Sequence, residues 1–426
     1  MPRQFSLSLI LLAAIFFMAG ALSSARAFHE GGVAPCEGCH TMHNSLDNMP
    51  MTQSGMANAS LLLNTSASGT CLNCHQGSTA SSYQVATSDG ALTPGIPPAM
   101  MTPGGDFAWL KKSYSWLVGG TPYNETGDRH GHNIVSLDFG YLADAVNISA
   151  PGGTFSAAAL QCTSCHDPHG RYRVLNDGTV STTSKPAFAS GSYSVNGVPT
   201  NPQVGESVGT YRLLAGVGYQ PSGSGITFVN GPPAAMAPED YNRSEDLTQT
   251  RVAYGAGTSL WCLNCHDQMH TSGAFVHPSD QAVGITVADR YNAYIKTGDL
   301  TGTIDQAFLS LVPFETGHTN SLADRNSLAA MARSDDTNLY GPGPQDSVGC
   351  LTCHRAHASG WPYMLRWNND APLMVYNGFY PGIDNGVPPE YSMGRTEAET
   401  RRSYYDRPAS EFASNQNRLC EKCHTN

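Results

Sequence analysis

Cys36-Glu37-Gly38-Cys39-His40 opens a pattern that the chain repeats in outline five more times. The others are Cys71-Leu72-Asn73-Cys74-His75, Cys162-Thr163-Ser164-Cys165-His166, Cys262-Leu263-Asn264-Cys265-His266, Cys350-Leu351-Thr352-Cys353-His354 and Cys420-Glu421-Lys422-Cys423-His424. These six C-x-x-C-H motifs use all 12 cysteines. Histidine is 15 of 426 residues, so its recurrence after all six pairs has a chance probability on the order of 10⁻⁹ on composition alone. Covalent haem attachment needs this spacing. Two thioethers hold the porphyrin through cysteines three positions apart, and the next residue offers an axial nitrogen to the iron. Zinc would need two pairs per ion and no histidine after each. A thioredoxin-like pair needs a βαβ context that is absent. Disulfides across such short loops would close little unfolded-chain entropy.

The rest of the chain suits a protein whose core is supplied by cofactors. It has 44 Gly, 27 Pro and only 13% charged residues, and long apolar-periodic stretches are scarce. On polypeptide alone much of it reads as loop. The expected fold is therefore mostly irregular, with short α-helices around the motifs, few strands and a stack of six haem c groups as its core. Folding then depends on cofactor attachment, as it does in small metal domains. Successive first cysteines are 35, 91, 100, 88 and 70 residues apart, with no fixed period, so a regular solenoid is not expected. The net charge is −11 and Lys and Arg are not clustered, which argues against a nucleic-acid partner.

Residues 1–27 read as a signal peptide: Arg3, an apolar run from Phe5 to Leu22, and a small-x-small site at Ala25-Arg26-Ala27. The run is short for a membrane span, and no later segment is long and apolar enough for one. The expected product is a single hexahaem domain, 28–426, secreted after cleavage near Ala27.

What fills the sixth position of each iron separates an electron carrier from an enzyme. Nine histidines lie outside the motifs. His29, His43, His132, His169, His277, His318 and His357 are the seven candidates for six distal places; His130 and His270 read as surface residues. Methionine, with 14 copies, is the alternative ligand. His43, His169 and His357 each follow a motif histidine by three. On a helical turn such residues share a face about 5–6 Å apart. Two ligands of one iron approach from opposite faces, so each of the three is expected to serve a haem other than its own and to link haems into an array.

Several stretches resemble the OmcS-type extracellular hexahaem c-type cytochromes of metal-reducing bacteria. They are the run from Phe28 through Cys36 to His43, Met101 to Phe107, Gly131 to Val135, Cys162 to Gly170, Thr248 to Gly255, Gly298 to Thr303 and Cys350 to Gly360. They include loop sequence that haem attachment alone does not require, and they span most of the chain after residue 27. The resemblance implies six bis-histidine haems, little regular secondary structure and protomers joined head to tail. It also implies that the residue matching His43 ligates a haem of the neighbouring protomer.

The expected function is extracellular electron transfer, as a polymeric conductive filament delivering electrons to external acceptors such as metal oxides or partner cells. Redox partners and further copies of the chain are the expected partners. One alternative is a monomeric carrier of the periplasm or outer surface. Another is a multihaem oxidoreductase, but such enzymes need one special haem, and all six motifs here end in histidine.

Overall fold

The computed structural model describes residues 36–425 except 47–48, 53–58, 80–82, 184–186, 188, 239–248, 270–276 and 278. The signal-peptide reading, His29 and His270 lie outside the described residues. The α-helices are short: α1 (Ala67–His75), α2 (Thr258–Cys262), α3 (Gly284–Ala293), α4 (Leu322–Met331), α5 (Cys350–Cys353), α6 (Pro389–Ser392) and α7 (Glu397–Ser403). Among the described residues no helix is long and apolar enough to cross a membrane.

Each C-x-x-C pair sits on a turn of helix. The first cysteine of motifs 2, 4 and 5 lies on α1, α2 and α5, and that of the others on 3₁₀ turns at Cys36–Gly38, Cys162–Ser164 and Leu419–Lys422. One turn is what two cysteines at i and i+3 need to face the same way. The helix then stops at the histidine in motifs 1, 3 and 5. His40, His166 and His354 instead form isolated antiparallel bridges with Leu62, Leu214 and Leu365. The expected shared helical face of these histidines and their i+3 neighbours is therefore absent, because extended backbone carries the neighbour away.

Strands are mostly two-residue pairs. Among the described residues the longest hairpin joins Tyr114–Val118 to Thr121–Glu125, antiparallel, through Gly119-Gly120 at φ 56° and 86°. A two-residue hairpin turn of that hand needs positive φ at both positions, which glycine supplies without strain. The last third of the chain adds a side-chain core to the expected haem core. Tyr291, Trp361, Trp367, Tyr380, Tyr404 and Phe412 are buried together there. Large rings such as these each remove about 150–250 Å² from water.

The C-terminal helices clamp onto the N-terminal half. Lys112 Nζ meets Glu399 Oε1 at 3.1 Å, Arg402 Nη1 donates to the Pro98 carbonyl at 2.8 Å, and Tyr405 Oη donates to the Thr102 carbonyl at 2.5 Å. Arg395, fully buried, bonds Glu125 and lies 4.1 Å from the Tyr114 ring centre.

Candidate haem-binding sites

None of the 12 cysteines is in a disulfide. Their sulfurs mark the order of the motifs in space. Cys39 and Cys74 interact, Cys71 and Cys162 lie within hydrogen-bond reach, and Cys165 and Cys265 interact. Cys262 and Cys350 again lie within hydrogen-bond reach, and Cys353 interacts with Cys420 and Cys423. The spatial order of the six motifs is thus their chain order, a line from motif 1 to motif 6. Burial pushes the Cys265 and Cys353 thiols up to about 12.

Two of the links are built alike. The amide N–H of Cys162 donates to Ser68 Oγ at 3.1 Å, and that of Cys350 donates to Ser259 Oγ at 3.0 Å. Each serine stands three residues before the first cysteine of the preceding motif.

Motifs 1, 3 and 5 share a second device, a strap that returns to the motif histidine. In motif 1 the His40 Nδ1–H donates to the Ser60 carbonyl at 3.0 Å, Leu61 has φ 55°, and Leu62 bridges His40. In motif 3 His166 donates to the Arg212 carbonyl at 2.8 Å, Arg212 and Leu213 have φ 52° and 53°, and Leu214 bridges His166. In motif 5 His354 donates to the Tyr363 carbonyl at 2.7 Å, Tyr363 and Met364 have φ 60° and 59°, and Leu365 bridges His354. His75 and His266 likewise donate to the Tyr83 and Pro151 carbonyls, at 2.7 and 2.8 Å. A carbonyl can only accept, so these rings carry their proton on Nδ1 and present a bare Nε2. A second partner of this kind fixes the tautomer and orientation of a ligating imidazole. Sequence reasoning did not find the straps; the Leu61-Leu62, Leu213-Leu214 and Met364-Leu365 dipeptides are their only signal.

Four motif histidines face a second histidine. The ring centres of His40 and His169 are 6.3 Å apart, those of His266 and His132 6.2 Å, those of His166 and His357 6.4 Å, and those of His424 and His277 5.8 Å. Two imidazoles holding one metal from opposite sides, with metal–nitrogen bonds of about 2.0 Å, put their ring centres about 6.3 Å apart. The residues therefore fit six-coordinate haem iron. Burial holds His132 down at about 4 and His357 at about 3, and lowers His75, His166, His277 and His354. The neutral imidazole that results is the form that binds a metal.

The i+3 histidines reach backward by two motifs. His169, after motif 3, faces motif 1, and His357, after motif 5, faces motif 3. His43, after motif 1, is exposed, and no described histidine ring faces either it or His354. His318 is held by its own loop, with Nδ1 2.8 Å from Thr316 Oγ1. His130 is not at the surface, as had been expected, but fully buried. Its Nδ1 lies 2.8 Å from the Trp109 carbonyl and its Nε2 2.6 Å from Glu125 Oε1, so both nitrogens are occupied.

No family model matches the chain. It is 46% identical over 440 residues to the C-type cytochrome OmcS of Geobacter sulfurreducens, covering 100% of this chain and 99% of that protein. Two solved structures, of OmcS nanowires and of an outer membrane cytochrome S filament from that organism, each match with a TM-score of 0.85. They are 44% and 45% identical and cover 93% of this chain and 99% of theirs. Six C-x-x-C-H turns in one line, facing histidines spaced for iron, and this identity along the whole length show that the chain belongs to the OmcS family of c-type cytochromes.

Proposed function

We propose that the chain is an extracellular electron conduit that polymerises head to tail. It binds six haem c groups through its 12 motif cysteines, with His40, His75, His166, His266, His354 and His424 as proximal ligands. The distal ligands of motifs 1, 3, 4 and 6 are His169, His357, His132 and His277. Residues 28–426 act as one domain, tied together by the contacts between its first and last quarters.

The observation that carries this reading is the backward step of two motifs. Continued past the start of the chain, the step takes His43 to motif 5 of another copy, where His354 waits without a described histidine opposite. His29 then serves motif 2. It lies seven residues before Cys36, within about 23–25 Å of extended chain, and motif 1 abuts motif 2. His318, whose carbonyl accepts from the Ala256 N–H close to motif 4, is left outside the set.

Bound at these sites, haem supplies a reversible one-electron couple. The protein keeps the ligands neutral, fixes their tautomers and brackets each iron on both sides. Bracketed irons leave no axial place for a substrate, so the chain transfers electrons and is not an enzyme. Secretion places it outside the cell, against external acceptors.

Electron microscopy of the secreted protein tests the proposal, together with magnetic circular dichroism of its resting state. Filaments and six low-spin bis-imidazole haems are expected. Dispersed monomers would remove the polymer, and a high-spin haem in the filament would remove the pure-conduit reading.

A further inference from the structure

The links from motif 2 to motif 3 and from motif 4 to motif 5 are copies of one another. In each, the serine three residues before the upstream motif accepts the amide N–H of the downstream cysteine. In each, the hydroxyl two residues after that cysteine caps the residue before it: Ser164 Oγ accepts from the Gln161 N–H at 3.0 Å, and Thr352 Oγ1 from the Gly349 N–H at 2.9 Å. They differ at one place. In the first link Gln161 Oε1 accepts the N–H of Ala67, four residues before the upstream motif, at 2.9 Å. In the second, Gly349 occupies the position of Gln161, and a side chain there would run into the carboxylate of Glu315. Glu315 fills the space instead. Its carboxylate accepts from Thr258, the counterpart of Ala67, and from Ser259 Oγ at 2.9 Å. A neutral amide in one link is thus replaced by an ionisable acid in the other.

The acid is 3% exposed. From α2 it is faced by Thr258, Ser259 and Cys262, and from α5 by Cys350. The two sulfurs carry no proton once they are thioethers. Its backbone pairs with Tyr254 and with Ser347, the residue after Asp346, and Asp280 acts on it as a like charge. Burial, opposed by the Ser259 hydrogen bond, pushes its carboxyl up to about 7. The first link has a carboxylate close by, Asp138, but it accepts from the N–H and hydroxyl of Thr65 at 2.9 and 2.7 Å.

We infer that Glu315 is a proton-binding site coupled to reduction at motifs 4 and 5, so that electron uptake at this one link depends on pH. The inference rests on the reading that motifs 4 and 5 carry haem. When an external one-electron donor reduces iron from ferric to ferrous beside it, the site loses one positive charge. Glu315 then takes one proton from water, its carboxylate becomes a carboxylic acid, and the net charge of the site is unchanged. An acid that binds its proton more tightly beside reduced iron makes the potential fall as pH rises. The limit is about 59 mV for each tenfold change in proton concentration in a one-electron couple.

The test is a spectroelectrochemical titration of the whole protein at pH 6, 7 and 8 and fixed ionic strength, against Glu315→Gln. The expected wild-type curve has a component that moves to lower potential with rising pH, and that component stands still in the variant. An unchanged pH dependence in Glu315→Gln would assign it to other groups, such as haem propionates, and overturn the inference. Where Glu315→Gln fails to load six haems, the redox-difference infrared spectrum of wild type at pH 7 decides. A desolvated protonated-carboxyl band should appear on reduction, and its absence overturns the inference. Intact mass separates the two levels: a chain lacking haem at motif 4 or 5 sinks the underlying reading, whereas six haems without the pH response sink only this one.

Discussion

His130 and His132 stand two residues apart and have opposite fates. Both nitrogens of His130 are bonded, to Trp109 and Glu125. His132 spends only Nδ1, on the Ala356 carbonyl at 2.7 Å, and turns its ring to His266. Replacing each should therefore read out differently. His130→Ala is expected to keep six low-spin haems but to lower stability by about 1–3 kcal/mol, the cost of a buried partner lost from Glu125. His132→Ala, which removes the ring opposite His266, should leave attachment intact and turn one haem in six high-spin. Electron paramagnetic resonance with thermal unfolding checks both. A high-spin signal from His130→Ala would put that residue back among the ligands. The pair also shows how far the site was legible. The 12 cysteines and the six histidines proposed as proximal ligands are picked out by spacing, because attachment chemistry is local. Which spare histidine meets iron is decided by contacts far away in the chain, so the sequence could single out His132 as a candidate yet made the buried His130 read as a surface residue.

At the scale of elements the strap is the recurrent unit. It holds the motif histidine by one hydrogen bond and one bridge, and in each copy at least one non-glycine residue takes left-handed backbone. Such backbone costs an L-residue about 1–2 kcal/mol. Leu61 is 42% exposed, so little packing opposes a change there. Leu61→Gly should stabilise the protein by up to about 1 kcal/mol, once the greater freedom of glycine in the unfolded chain is set against the strain relieved. Leu213 has the same backbone but is 7% exposed. Leu213→Gly should destabilise by about 2–5 kcal/mol through lost burial and a cavity. Chemical denaturation of the haem-loaded proteins measures both, and equal effects would contradict the strap's packing role. The strap was hidden in the sequence because it returns at no fixed distance. The accepting carbonyl lies 20, 46 and 9 residues after its histidine. The short helices around the motifs were legible, because one turn is the geometry the cysteines require. The aromatic core of the last third was not, since apart from Tyr291 on α3 its rings come mostly from loops and short turns with no helical or strand period.

At the scale of the whole molecule, polymerisation sets a short-range bond against a long-range repulsion. Each chain carries a formal charge of −11, and haem propionates add to it. Like-charged protomers repel over the Debye length, which is about 30 Å in 0.01 M salt and about 8 Å at 0.15 M. The proposed link is an iron–nitrogen bond from exposed His43, and a bond of that kind acts only on contact and is hardly screened. Salt should therefore govern how fast protomers meet, while His43 governs whether they stay joined. Filament growth from dispersed wild-type protein, followed by light scattering and electron microscopy, is expected to be faster at 0.15 M than at 0.01 M. Fibre appearance and spin state should be the same in both. His43→Ala should form no filaments at either salt concentration and should show one haem in six without its distal imidazole. The proposed step of two motifs places that haem at motif 5, since the rings of His169 and His357 already face motifs 1 and 3. If His43→Ala polymerises once the salt is raised, surface contacts rather than the histidine join the protomers, and the backward step of two motifs ends at the boundary of the chain.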